Sequence, residues 1–230
     1  MKYSAIILAA GSGKRTGLKV NKILYKINGK RVIEYSLDFF KLDKRCTDII
    51  LVSSSVDYNY FMEHFNQGKV KVVLGGNTRR DSVRLALINA ECDYVLIHDG
   101  ARPYITKDSI NLILSSLSNN ISVTLGVKVK ETIQEIDGNY VIKTLDRNNL
   151  IITQTPQGFY KKTLIKAHDI ALNNGYYGTD DTVLLEVFMN TKAVFIQGDY
   201  RNIKLTTIGD IKLLEVILLW ESGLVQTFIA

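Results

Sequence analysis

Short apolar, β-branched runs alternate along most of this chain with segments of helical periodicity. Residues 5–8, 48–53, 70–74, 94–98, 121–127 and 193–196 read as strands. Between them, residues 31–40, 82–89, 107–117, 161–173 and 180–188 carry the apolar spacing of helices. Strands alternating with helices imply crossover connections, and hence an α/β fold. The expected architecture is a Rossmann-like three-layer fold, a mostly parallel sheet with helices on both faces.

One stretch departs from this rhythm. From Thr132 to Thr144 apolar and polar residues alternate around Asp137-Gly138, which predicts a β-hairpin. Such an insertion has little core of its own. It either folds back locally or projects as an arm, at about 130–150, onto a partner subunit. No repeat, low-complexity stretch or linker divides residues 1–230, so a single domain is expected. The two prolines, Pro103 and Pro156, are each expected to mark a turn.

Composition narrows the classes. At 230 residues the chain can build a core without disulfides or structural metal. No apolar run reaches the length of a membrane span. Met1-Lys2 and the apolar residues 6–10 faintly mimic a signal peptide, but the run is short and leads straight into a basic loop. It reads as the first strand, and no membrane partner is expected. Cys46 and Cys92 have no paired spacing and are expected to be reduced and inert in a cytoplasmic protein. His64, His98 and His168 lie too far apart for a zinc site. The formal net charge of +6 is spread along the chain without a basic block, so small anionic substrates explain it better than nucleic acid.

The richest segment is Leu8-Ala9-Ala10-Gly11-Ser12-Gly13-Lys14-Arg15-Thr16-Gly17, followed by Asn21-Lys22. An apolar strand stops at two small residues and a glycine turn, then becomes cationic. Glycines let backbone N–H groups approach an anion, and Lys14, Arg15 and Lys22 supply charge, so a polyphosphate is the natural guest. The spacing fits neither the dinucleotide fingerprint nor the Walker A loop, and a turn with solvated cations stays open at this point.

Further motifs follow in order. Gly75-Gly76-Asn77-Thr78-Arg79-Arg80-Asp81-Ser82 repeats the layout of strand, glycines and helix start. Its backbone and Ser82 could read a base edge, or Asp81 or Ser82 could simply cap the helix. In His98-Asp99-Gly100-Ala101-Arg102-Pro103, Asp99 stands at a strand's carboxyl end. It is placed to hold a divalent metal, with Arg102 clamping a phosphate, or to cap a turn and pair with Arg102. His98 reads as structural. Thr144-Leu145-Asp146-Arg147, Gln154-Thr155-Pro156-Gln157, Gly178-Thr179-Asp180-Asp181 and Asn202-Ile203-Lys204-Leu205-Thr206-Thr207 complete the series.

Taken in order, these motifs resemble the 2-C-methyl-D-erythritol 4-phosphate cytidylyltransferase family from Ala5 to about Glu215. The resemblance implies a nucleotidyltransferase α/β domain, a homodimer joined by a β-arm, and a requirement for Mg²⁺. It implies transfer of a cytidylyl group from CTP to methylerythritol 4-phosphate with release of pyrophosphate. By position, Arg15 and Lys22 match transition-state stabilisers, and Arg147 and Lys204 match residues that position the sugar phosphate. Ala9, Ala10, Gly11, Ser12, Gly13, Lys14, Gly76, Ser82 and Asp99 fall in the nucleotide site, with Asp99 as the metal candidate. Arg102, Thr132, Thr155 and Thr179 fall in the sugar-phosphate site, Thr132 and Arg147 reaching a neighbour's site from the arm.

Three departures accompany the match. Asn21 and Ile23 flank Lys22 where the family commonly has Pro and Gln, and Lys128 and Ile208 each replace a usual proline. Competing readings are a ribitol 5-phosphate cytidylyltransferase, which typically opens with a different glycine loop, and a catalytically silent nucleotide-binding module. A Rossmann dehydrogenase fails on the displaced third glycine.

Overall fold

Strand β1 (Tyr3–Leu8) is enclosed along nearly its whole length and delivers the chain to Ala9-Ala10-Gly11 at its carboxyl end. The computed structural model describes residues 1–11, 21–178 and 180–221. After β1 come a small hairpin, β2 (Lys26–Ile27) and β3 (Lys30–Arg31), and helix α1 (Val32–Leu42). Then follow β4 (Cys46–Ser53), α2 (Tyr58–Phe65), β5 (Val70–Leu74), α3 (Arg79–Asn89), β6 (Tyr94–Asp99), α4 (Lys107–Leu117) and β7 (Ser122–Lys128). The arm is β8 (Gln134–Asp137) and β9 (Tyr140–Thr144). The chain continues through β10 (Ile151–Tyr160), α5 (Lys161–Asn173), α6 (Asp181–Met189), β11 (Val194–Gln197) and α7 (Gly209–Glu221).

Seven strands form one sheet in the order β11-β7-β10-β6-β1-β4-β5. β1 runs parallel to both β4 and β6, β4 to β5, and β11 to β7. β10 alone is antiparallel, wedged between β6 and β7. Side chains alternate along the central strands as the pleat demands. Ile6, Ile50, Val52, Val95 and Ile97 enter a core with α3, α5 and α6. Ala5, Ile7, Ile49, Leu51 and Leu96 enter the opposite core with α1, α2, α4 and α7. Both faces are covered, which is why these strands read as continuous apolar runs.

Two expectations are corrected. Pro156 marks no turn: it lies inside β10, where the pairing with β7 jumps from Gln154↔Leu125 to Gly158↔Val123. The extra residues form a bulge, so the missing proline N–H costs no ladder bond there. Helix α3 starts at Arg79 rather than Ser82, and its cap is Thr78 instead of Asp81 or Ser82. Thr78 Oγ1 accepts from the Asp81 N–H at 3.1 Å, and the Asp81 carboxylate accepts from the Thr78 N–H at 3.2 Å, a closed capping box.

The hairpin forms a separate two-stranded sheet in which every residue is exposed, turned at Gly138 with a φ of 55°. Nothing else among the described residues covers it. Cys46 and Cys92 are free, and burial pushes the Cys46 thiol up to about 12, so it is inert at neutral pH. No described helix is long and apolar enough to cross a membrane.

Candidate active site

In this sheet the connections leave β1 in opposite directions, to β4 on one side and ultimately β6 on the other, and ligands favour the crevice at such a switch point. A cavity of about 560 Å³ opens there. Its walls come from Leu8–Gly11 after β1, Gly76–Arg79 and Ser82 around the start of α3, and Asp99 and Ala101 after β6. Lys22, Ile23 and Lys204 complete it.

The glycine pair after β5 is there for closeness. A Cβ on Gly75 would come within 2.9 Å of Ser82 Oγ, and one on Gly76 would overlap Asp81. Without side chains, the loop lies against α3 and the Gly76 N–H donates to Ser82 Oγ at 3.2 Å. Ser82, in the first turn of α3, is thus tied to the loop that lines the cavity.

Asp99 and Lys204, 105 residues apart in sequence, meet at 2.8 Å. Three motifs lock together to bring this about. The Leu205 N–H donates to Ala101 O at 2.8 Å, and Asn202 Nδ2 donates to Thr155 O at 2.8 Å. Gln154 Nε2 donates to Asp199 O at 2.8 Å. Arg102 ties the same knot, Nη1 to Asn202 O at 2.6 Å and Nη2 to Thr153 O at 3.3 Å, with Nε 3.7 Å from Asp99. Burial opposes ionisation of Asp99, but Lys204 first, then Arg102 and Arg79, hold its carboxyl down at about 2. Asp99 is therefore an anion throughout the physiological range.

Behind Asp99 lies a polar chain centred on the buried Thr155 and His98. The Asp99 N–H donates to Thr155 Oγ1 at 3.0 Å, which stands 3.1 Å from His98 Nδ1. His98 Nε2 lies 2.9 Å from Arg102 O. A carbonyl only accepts, so Nε2 carries the proton and Nδ1 accepts from Thr155. His98 is the structural residue expected, a neutral strut that sets the loop from Asp99 to Arg102. Burial pushes its pKa down to about 4 from 6.5, and the charges it faces are Asp99, Arg102 and Lys204. A folded value below the unfolded one means that stability is complete above about pH 6.5 and declines as pH falls toward 4. Between pH 7 and pH 5 this group should cost roughly 1–2 kcal/mol. Urea unfolding at both pH values should show that slope in the unmodified protein and lose it in His98→Gln; equal slopes would clear His98 of the effect.

The structure brings together Ala9, Ala10, Gly11, Lys22, Gly76, Ser82, Asp99 and Lys204 from the sequence expectation. Arg102 and Thr155 sit one layer behind, the two Arg102 Nη groups donating to backbone carbonyls and Thr155 Oγ1 held between the Asp99 N–H and His98. Thr132 and Arg147 lie exposed at the base of the arm, Arg147 Nη1 donating to Lys130 O at 2.7 Å, and neither lines this chain's own cavity. Ser12, Gly13, Lys14, Arg15 and Thr179 lie outside the described residues. Arg79 was not anticipated. It stood in the second glycine motif beside Arg80, and nothing in the sequence tells two consecutive arginines apart. Among the described lining residues, three cations (Lys22, Arg79, Lys204) face one carboxylate, Asp99. Such a surplus of positive charge suits a polyphosphate.

The chain has close counterparts. A family model described as 2-C-methyl-D-erythritol 4-phosphate cytidylyltransferase matches residues 3–219. A protein of that name from Caldanaerobacter subterraneus subsp. tengcongensis is 39% identical over 226 residues, covering 95% of this chain and 99% of the relative. One from Shouchella clausii is 39% identical over 223 residues, covering 95% and 97%. Among solved structures, 4-diphosphocytidyl-2C-methyl-D-erythritol synthase from Anaerococcus prevotii superposes with a TM-score of 0.82 at 32% identity, covering 94% of this chain and 98% of that one. Family model, relatives and superposition agree over nearly the whole length, and the chain belongs to the 2-C-methyl-D-erythritol 4-phosphate cytidylyltransferase family.

Proposed function

We propose that this protein joins CTP to 2-C-methyl-D-erythritol 4-phosphate, forming 4-diphosphocytidyl-2-C-methyl-D-erythritol and pyrophosphate by in-line attack on the α-phosphorus. The observation that carries the reading is the convergence of Lys22, Arg79 and Lys204 with Asp99 on one cavity at the sheet's switch point. The attacking phosphate oxygen is already a nucleophile at neutral pH, so the chemistry needs no strong base. It needs relief of repulsion between two anions and stabilisation of charge on the transferring group. Lys22, at the cavity wall, supplies charge at the α-phosphate, and the family resemblance gives Arg15 the same role. Lys204, fixed against Asp99, orients the incoming phosphate, and the backbone around Gly76 and Ser82 holds the nucleoside.

Mg²⁺ fits this donor set. Magnesium usually takes one or two carboxylates plus substrate phosphates, and Asp99 supplies one ionised carboxylate at the cavity wall. Among the described residues no group of three or more His, Cys, Asp or Glu gathers to hold a metal alone, so Asp99 would hold the ion together with substrate phosphate and water. The chemistry it would supply there is neutralisation of phosphate charge.

The arm makes the protein a homodimer, carrying Thr132 and Arg147 of each subunit to the other's site. Ile136 and Val141 are cross-strand partners and are 65% and 57% exposed in the single chain, a small apolar face in need of cover. The double variant Ile136→Asp/Val141→Asp should run as a monomer in size exclusion with light scattering, with turnover lost in parallel. A dimeric variant would remove the arm from the interface. The cytoplasm, where CTP is made, is the compartment this activity requires.

The test of the reaction is pyrophosphate release with CTP and Mg²⁺, methylerythritol 4-phosphate and ribitol 5-phosphate being compared side by side. Turnover with the first is expected. Turnover with ribitol 5-phosphate alone would overturn the substrate, and none with either would leave a silent nucleotide-binding module.

A further inference from the structure

We propose that Asp181 and His168 are a buried positioning pair that aims Arg79 at the bound nucleotide; the inference rests on the reading of the cavity as the CTP site. Arg79 is the first residue of α3, and its side chain lines the cavity while about a third exposed, at 32%. One terminal nitrogen stands 2.8 Å from Asp181 Oδ2, an ion pair by distance without the alignment of a hydrogen bond. Asp181, the first residue of α6, is 1% exposed, and its other oxygen lies 3.1 Å from Nε2 of His168 on α5. His168 is itself 0% exposed. Because a carboxylate only accepts, Nε2 carries the proton, and Nδ1 has no hydrogen-bond partner among the described residues.

An ionised carboxylate at this depth is costly unless it is paired. Here the pairing spans the core: one partner is a histidine locked between helices, the other a cation on the cavity wall. The neighbouring arginine shows what a purely structural arrangement looks like. Arg80 is 6% exposed, and its Nη1 donates to Tyr176 O at 2.7 Å and Ala171 O at 3.4 Å. Its Nη2 donates to Asp81 at 3.0 Å. Arg80 closes the fold; Arg79, by contrast, is held from behind and presented to the cavity.

The two aspartates of the Asp180-Asp181 motif divide the labour. Asp180 caps α6, accepting from the Thr182 N–H at 2.9 Å, and takes Gln157 Nε2 at 3.0 Å. That leaves Asp181 to face Arg79. A guanidinium is a planar fork suited to phosphate oxygens. Held in one rotamer before binding, it loses less conformational freedom when the nucleotide arrives. His168 fixes the carboxylate, the carboxylate fixes the fork, and the benefit appears as affinity for CTP.

The experiment is calorimetric titration with CTP plus steady-state kinetics, on the full-length protein. Arg79→Ala and Asp181→Asn should each weaken CTP binding and raise its KM by about tenfold, the scale of one charge-assisted contact. The KM for the second substrate should stay unchanged. The double variant should be no worse than Arg79→Ala alone, since Asp181 acts only through Arg79. His168→Leu should shift CTP affinity in the same direction, and His168→Gln, which restores a donor near the Nε2 position, should recover it. Multiplying effects in the double variant would overturn the pairing, as would an unmoved KM for CTP alongside a lowered melting temperature in both His168→Leu and Asp181→Asn. Failure of the unmodified protein to bind CTP would instead refute the nucleotide reading itself.

Discussion

Lys22→Met is expected to lower kcat by about two to three orders of magnitude, the usual cost of removing one preorganised stabiliser of transition-state charge. The protein should stay folded. Lys22 is 9% exposed, so methionine preserves most of the packed aliphatic stem while deleting the charge. The turn that carries it, Lys22–Leu24, is also tied down by neighbouring side chains. Asn21 Nδ2 donates to Asp57 Oδ2 at 2.7 Å, Asn21 Oδ1 accepts from the Ile23 N–H at 3.4 Å, and Ser54 Oγ donates to Asp57 at 2.8 Å. Where the family commonly uses a proline before this lysine, an asparagine here ties the turn to the loop after β4 by side-chain hydrogen bonds. A stabiliser of the transition state alone leaves KM nearly constant while kcat falls. Pyrophosphate-release kinetics, read beside thermal unfolding curves, separate the two quantities. An unchanged kcat, or a loss explained by unfolding, would take Lys22 out of the chemistry.

Much of this site was legible because its residues sit where patterns break. The ends of β1 and β6 are marked by apolar runs giving way to Ala9-Ala10-Gly11 and to Asp99-Gly100, and both junctions line the cavity. β5, α4 and α5 have the boundaries that their periodicity predicts. What escaped has physical causes. β10 carries Pro156, Gly158 and a polar centre, and becomes a strand only because β6 and β7 pair with it on either side of a bulge. α2 is short and rich in tyrosine, so its two buried residues, Phe61 and Phe65, give little periodic signal. In α7 the apolar residues go all the way round, Leu213, Val216 and Trp220 exposed and Ile211, Leu214 and Leu218 buried, which erases the moment a reader looks for. Arg79 and Asp181 are separated by about a hundred residues and meet only through the packing of α3, α5 and α6. Local sequence holds no trace of that meeting. The ordered motifs, by contrast, are visible singly, and the structure supplies their reason: Gln154 and Arg102 both donate to Asn202 O and thereby set Lys204 against Asp99.

Lys204→Met should show two losses with one cause. The 2.8 Å contact with Asp99 places the ammonium at the cavity wall, and removing it should cut kcat/KM for the sugar phosphate by at least about a hundredfold, an effect of lost positioning and lost charge together. CTP affinity should change far less. The second loss concerns Asp99, whose carboxyl is held at about 2 with Lys204 as the leading favourable influence against burial. A folded value below the unfolded one contributes stability that is present above about pH 4 and disappears as pH falls through 2. Without Lys204, Arg102 and Arg79 hold the carboxylate alone, its pKa rises, and that contribution shrinks. The variant should therefore be less stable than the unmodified protein at pH 7, and the gap should narrow at pH 3, where the unfolded chain's carboxyl is largely protonated. Urea unfolding at the two pH values reads this directly. A gap of the same size at both would mean that Lys204 does not hold Asp99 ionised, and the catalytic loss would then have to be explained by the cation alone.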